Sequence, residues 1–387
     1  MGITYNPRIV TDGLVLALDA GNPISYDGSE NLITHSSTTS GIVLGVLGSG
    51  GSLPTGWGID QGQPGTTLEI VGYGVENGLN YIDLKFSGTT TTSNRWLVRP
   101  GNPLTLTSGV TYNSSVYAKT ISGTPTDYRS FYNAYLALTD STLTRYSGNF
   151  TASSTGTSYP RLDIGYNSVG TVMNFTIRVA GFQLETGSTA NTYYPTTGTT
   201  KIRGTTWTDV SGRGNAGTLT NGPTYSSANG GSIVFDGVDD YVQFTSTSVQ
   251  TVCFWGRMDA DIPSLAALVA TSATGDGSLR TYPTGTFRPS TDGNDFNNGY
   301  ESSLMINGVS NLSSDGSGGL TIPGGRTLFQ DFYVGAIGNA RNISTISHTF
   351  MGRVYKGRVY AVYLYNRKLT NNELLQNFNA LRGRFGI

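Results

Sequence analysis

Cysteine is almost missing from this chain of 387 residues, with Cys253 standing alone. No intrachain disulfide can form, so packing must hold the fold together. Cys253 lies in the apolar run Val252–Trp255 and reads as a buried, inert thiol. Histidine is equally scarce: His35 and His348 are far apart in the sequence. Zinc ligation and Cys-His or Ser-His nucleophilic catalysis therefore lack their usual partners. Charged residues make up only 13%, with 24 basic and 25 acidic side chains and a net charge of −1. That balance leaves no electrostatic footprint for nucleic acid or an anionic membrane. No run of about 18 apolar residues occurs, so no membrane insertion is expected. The opening MGITYNPRIV has neither a basic n-region nor an apolar h-region, so the expected product is soluble and made without secretion. Heptads, Gly-X-Y tracts and long repeats are missing as well, which argues for a compact knob or decoration rather than a long shaft.

What is plentiful points one way. There are 53 Gly and 23 Tyr, with abundant Ser, Thr and Asn, which suits many short strands joined by tight turns. The expected class is all-β. Gly13–Ala20, GLVLALDA, is apolar on both faces and reads as a core strand of a sandwich. Tyr81–Phe86, Thr111–Lys119 and Phe175–Glu185 read as strands of a further sandwich, with Phe175, Ile177 and Val179 on one face. Ser303–Asn307 with the turn Asn307-Gly308 reads as a hairpin, and Leu328–Ile337 and Thr349–Tyr355 as later strands. Arg358–Asn366 places Val359, Ala361, Tyr363 and Tyr365 on one face and Tyr360, Val362 and Leu364 on the other. Thr370-Asn371-Asn372-Glu373 has the spacing of a capping box, and Leu374, Phe378 and Leu381 follow at helical spacing. One helix of about three turns is expected there.

Ser232–Phe244, SIVFDGVDDYVQF, sets two β-branched and aromatic runs around Asp236-Gly237-Val238-Asp239, the turn chemistry of a β-hairpin. With its approach TTWTDVSGRGNAGTLTNGPTY, it resembles the LamG-like, concanavalin A-like jelly-roll domain common in bacteriophage virion proteins. In that family such a segment follows closely on an opening strand like GLVLALDAGNPISY, which here lies far upstream at Gly13–Tyr26. The separation implies an insertion. GVTYNSSVYAK and the later GFQLETGSTANTYYPTT are similar to the carbohydrate-binding-module-like jelly rolls of phage tail and fibre proteins, over roughly residues 31–200. Two β-sandwiches are expected, one from residues 1–30 and 201–387 and the other inserted as 31–200, with a short C-terminal helix. The resemblance also implies that the first and last strands of the outer domain share a sheet.

The concanavalin A-like fold also hosts glucanases, whose hydrolysis needs carboxylates about 5–10 Å apart, set in a Glu-x-Asp-x-x-Glu pattern. None of the six glutamates starts such a pattern. No enzymatic activity is expected. No cofactor is expected either, save calcium, which the resemblance allows at the rim. Its candidate ligands are Asp236, Asp239 and Asp240, or Asp292 and Asp295 in the loop Thr291–Asn298. Neither stretch has EF-hand spacing, and solvated Asx-rich turns account for both. Sugar binding needs an exposed aromatic platform beside hydrogen-bonding groups. Trp57, Trp96, Tyr193 and Tyr194 lie near Gly, Pro, Asn or Arg and are the candidates, whereas Trp207 and Trp255 read as core.

The resemblance implies a virion structural protein on the particle exterior: a fibre tip, short fibre or capsid decoration. Other virion proteins are its expected partners, in a homo-oligomer of threefold symmetry, with a host-surface glycan as ligand. Two other readings stand beside it, a glycan depolymerase of the virion and a cement protein with no ligand.

Overall fold

A computed structural model describes residues 8–37, 39–125, 129–138, 141–165, 168–259, 266–270, 279–281, 286–289, 303–306, 309–312, 320–321, 331–347 and 354–385. The protein is all-β, two sandwiches with one α-helix, Asn371–Leu381, among the described residues. Two compact units divide the chain: Met1–Gly28 with Gly204–Ile387, and Ser29–Arg203. One sandwich is thus inserted in the other.

The inserted unit closes on itself through its two ends. Asn31 and Lys201 form an antiparallel bridge, with N–H···O distances of 2.8 and 2.9 Å. The Asn31 amide donates to the carbonyls of Phe182 and Tyr194, both at 2.9 Å, and its Oδ1 accepts from Ile33 N–H at 3.0 Å. A buried amide costs little only when its groups are satisfied, and here they are. The unit's core lies between two sheets. Leu84, Phe86, Val116, Phe175, Ile177 and Val179 come from a seven-stranded sheet, and Val98, Phe131, Leu162 and Ile164 from a five-stranded one. The alternation read from the sequence is the cause: Ile82, Leu84 and Phe86 on Leu79–Thr89 face inward with Phe175, Ile177 and Val179 on Val172–Thr186, and Phe86 pairs with Phe175. The register shift between Ala180 and Gln183 then turns Phe182 and Leu184 inward.

In the outer unit, Leu14–Asp19 pairs antiparallel with Lys356–Tyr365, from Leu14 opposite Tyr365 to Asp19 opposite Ala361. The neighbour relation expected of the first and last strands is present. Leu16 and Leu18 enter one apolar cluster, and Leu14 and Ala17 another, so the strand is buried on both faces. In the second cluster the helix lays Leu374 and Phe378 beside Trp255 and Tyr333, and the Trp255 and Phe378 rings stack at 5.4 Å. Its capping box is formed: Thr370 N–H donates to the Glu373 carboxylate at 2.8 Å, and the Thr370 hydroxyl accepts from Glu373 N–H at 3.4 Å. Asn377 Oδ1 accepts from Val10 N–H at 2.8 Å, fastening the N-terminal segment to the helix.

Three expectations need correction. Ser232–Asp236 and Tyr241–Met258 are both strands, but they do not form a hairpin. Each pairs with Lys356–Tyr365, which lies between them. Residues Gly237–Asp240 therefore carry the chain across that strand, and Gly237, at φ 81°, passes so close that a Cβ would lie 2.7 Å from Lys356 Cβ. Burial of a two-faced apolar strand outweighs the local turn preference. Second, the two faces of Arg358–Asn366 are redistributed. The register shifts where Trp255 opposes Ala361 and Gly256 opposes Val359, leaving Tyr360 as an extra residue. This bulge puts Val359 with Val362 and Leu364, and Tyr360 with Ala361, Tyr363 and Tyr365. Third, Val354 and Tyr355 are not in a strand, and the rest of Thr349–Tyr355 lies outside the described residues. Ser303–Ile306 and Val309–Leu312 do pair antiparallel, while their turn at Asn307-Gly308 is outside the description.

Candidate functional site

The inserted unit carries a cleft of about 380 Å³ lined by Tyr132, Asn133, Phe150, Thr157, Ser158, Tyr159, Arg161 and Asp163. Four local features assemble it. Arg129–Phe131 and Ala134–Tyr135 pair with only Tyr132 and Asn133 between them, a two-residue hairpin loop. Such loops favour positive φ, normally met by Asn, Asp or Gly. Here Tyr132 takes it, at φ 56°. The strain is offset by tethers: Tyr132 N–H donates to Arg161 C=O at 3.0 Å, its hydroxyl hydrogen-bonds the Ser158 hydroxyl, and its ring lies 4.7 Å from Phe150. Asn133 donates from Nδ2 to Asn149 C=O at 2.7 Å.

Phe150, on Thr144–Thr151, is clamped between Tyr132 and Tyr112, which stacks on it at 5.8 Å. Gly156–Ser158 pairs with Leu104–Leu106 and delivers Tyr159, a residue that is 44% exposed. Leu162–Ile164 brings Asp163 into the five-stranded sheet, between Leu97 and Ser130.

Charge at the cleft is organised in pairs. The Asp163 carboxylate meets Arg95 at 3.2 Å, and Asp60 meets Arg99 at 3.0 Å and Arg161 at 3.9 Å. Burial pushes the Asp163 carboxyl above the usual range, partly opposed by Arg95 and Arg161, and its Oδ1 has no hydrogen-bond partner among the described residues. The Arg99 guanidinium stands 5.9 Å from the Tyr159 ring centroid. An open aromatic face, hydroxyls, an amide, a guanidinium and a carboxyl thus converge on one concavity. That arrangement suits a polyhydroxylated ligand.

The four aromatic residues singled out in the sequence do not line this cleft. Trp96 is 9% exposed, donates from Nε1 to the Thr66 hydroxyl at 3.0 Å and packs in the core, so it presents no platform. Trp57 is half-buried, edge-on to Phe182 at 5.2 Å, with Nε1 donating to His35 C=O at 2.8 Å. Trp57 pairs opposite Pro100 and Trp96 lies at the other end of the same strand, so the structure does not bring the two together. Tyr193 shares a hydrogen bond with the Ser36 hydroxyl at 3.0 Å, and burial raises its pKa. Tyr194 stands 5.1 Å from the Lys201 ammonium and donates its N–H to Gln183 Oε1 at 2.8 Å. These two tyrosines belong to the closing segment that returns to Asn31. Sequence signals for the cleft were present in Phe131-Tyr132-Asn133-Ala134-Tyr135, an Asn-bearing turn between short runs, and in Tyr159-Pro160-Arg161, an aromatic next to Pro and Arg.

In the outer unit Asp236, Asp239 and Asp240 come together, with one carboxylate oxygen from each within 4.8 Å of the others. Asp240 is buried and the other two exposed. Its Oδ2 accepts from Asp236 N–H at 2.9 Å, while Asp236 Oδ1 accepts from Val238 N–H at 2.8 Å. Burial first, then the neighbouring Asp236 and Asp239 charges, push the Asp240 carboxyl up to about 6. The carboxylates close the crossing turn, and the same oxygens are those a calcium ion would use. Asp292 and Asp295 lie outside the described residues.

No family model matches this chain, and no curated protein matches it. Among solved structures, Trypanosoma rangeli sialidase in complex with sialic acid is similar at 12% identity, covering 82% of this chain and 66% of that one, with a TM-score of 0.28. The chain thus spans less than two thirds of the sialidase. The tandem CBM22-1-CBM22-2 domain of Paenibacillus barcinonensis Xyn10C is similar at 12% identity, covering 90% of this chain and 94% of that one, with a TM-score of 0.25. The expectation that the chain is not an enzyme is not supported by these comparisons: a sialidase stands among the structural neighbours, a likeness at the level of the fold alone. At these scores neither likeness transfers an activity or a ligand.

Proposed function

We propose that this chain is a bacteriophage virion protein displayed on the particle exterior, as a fibre tip, short fibre or capsid decoration, and that its inserted unit binds surface glycans. The observation that carries the binding is the cleft of Tyr132, Phe150, Tyr159, Arg161 and Asp163, an aromatic-walled concavity about 380 Å³ in volume with polar groups converging on it. The virion setting is supported by the resemblance of Ser232–Phe244 and Gly13–Tyr26 to the LamG-like domains of such particles. Function belongs to the site rather than to the fold, so the cleft bears the weight.

A glycan array probed with the full chain tests the binding. Specific capture of a saccharide, weakened roughly tenfold by Tyr159→Ala, is the expected result, on the scale of one central aromatic contact. An array on which wild type captures nothing, or capture indifferent to Tyr159, overturns it. Immunogold labelling of intact particles with antibody to the chain tests the setting, and labelling confined to disrupted particles would count against an exterior position.

A further inference from the structure

Of the three guanidinium groups linked at the cleft, two are closely matched. Arg95 holds the Asp163 carboxylate at 3.2 Å, and Arg99 holds Asp60 at 3.0 Å while also donating to Gly101 C=O at 2.9 Å. Arg161 is different. It lines the cleft, its side chain is 35% exposed, and its one ion pair among the described residues is with Asp60 at 3.9 Å, on a carboxylate already engaged by Arg99. Among the described residues, the ion pairs at the cleft set three guanidiniums against two carboxylates, and the loosely held cation is the one facing the concavity. Its fork of N–H donors is shaped for a planar, two-oxygen anion.

Resting on the glycan-binding reading above, we infer that the cleft selects acidic saccharides: the Arg161 guanidinium pairs with the carboxylate of a uronate-type sugar whose ring lies on Tyr159. Tyr159, a residue that is 44% exposed, offers the apolar ring face that a sugar covers. Asn133, Thr157 and Ser158 supply hydroxyl and amide groups for the remaining ring oxygens. The Asp163 carboxylate does not oppose the anion, because Arg95 pairs with it at 3.2 Å.

The test is calorimetric titration of the full chain with glucuronate-containing oligosaccharides and with glucose-containing oligosaccharides of the same linkage, at low and at physiological salt. The acidic series is expected to bind tenfold or more tighter, roughly the worth of a charge-assisted hydrogen bond, and its advantage to shrink as salt rises. Arg161→Gln should abolish the preference and Arg161→Lys should keep part of it, with circular dichroism confirming that both fold. Equal binding of the two series, or a preference that survives Arg161→Gln, overturns this inference. Binding of the neutral series alone overturns it too but leaves the cleft a glycan site. No binding of either, together with an empty array, overturns both. If neither variant folds, the contrast between series and its salt dependence in wild type decides alone.

Discussion

Tyr132 holds a left-handed backbone that an aromatic residue adopts only under constraint, at φ 56°. Replacing it by Ala or by Gly removes the ring in either case, but only Ala keeps a Cβ in the disfavoured region. Tyr132→Gly is therefore expected to be more stable than Tyr132→Ala by about 1 kcal/mol in urea denaturation, and equal stabilities would mean that the turn relaxes. Asp240 supplies a second residue-level test, through pH. Its carboxyl is raised from 3.8 to about 6 in the folded state, so folding takes up a proton between those values. The group's contribution is fully present below 3.8 and is lost as pH rises through about 6. Asp240→Asn keeps an acceptor for Asp236 N–H and cannot ionise. The stability of wild type relative to this variant is expected to fall across that window, and a flat difference would show that burial does not hold the proton. Neither residue announced its role in the sequence. Phe131–Tyr135 shows an Asn-bearing turn but not that Tyr132 takes the positive φ within it, and the burial of Asp240 depends on the strand that its turn crosses.

Elements were legible in the sequence to the extent that their periodicity was unambiguous. The strands around Phe86 and Phe175 and the helix from Asn371 follow from alternation and from the capping box, because those patterns are local. Thr370→Ala is expected to cost about 1 kcal/mol by removing the cap, measurable as a lowered denaturation midpoint. No change would mean that tertiary packing alone fixes the helix start. Pairing was less legible, since turn chemistry says that a chain reverses and not which strand it then joins. Asp236-Gly237 promised a hairpin, and the last strand lies where the hairpin partner was expected. The bulge at Tyr360 was equally hidden, because a period-two reading cannot show an extra residue. The cleft was missed for a related reason. Its residues come from three separated stretches, and tryptophan drew the choice toward rings that the structure uses for packing.

At the scale of the whole molecule, the bridged ends of the inserted unit make a direct prediction. Asn31 and Lys201 are hydrogen-bonded, and the unit's apolar cluster is drawn from its own residues. Residues 29–203 expressed alone are expected to unfold cooperatively and to keep their β-sheet circular dichroism. A non-cooperative or aggregated product would mean that this core is incomplete. Joining Gly28 to Gly204 through a short Gly-Ser linker should likewise leave the outer unit folded, since its first strand pairs with Lys356–Tyr365 and not with the excised segment.

That late strand has a consequence for biosynthesis. Leu14–Asp19, Ser232–Asp236 and Tyr241–Met258 all dock on it, so three segments translated earlier wait for one that is translated after them. The guest finishes while its host is still threading, and for that interval the host's apolar ribbons are exposed to any chaperone within reach.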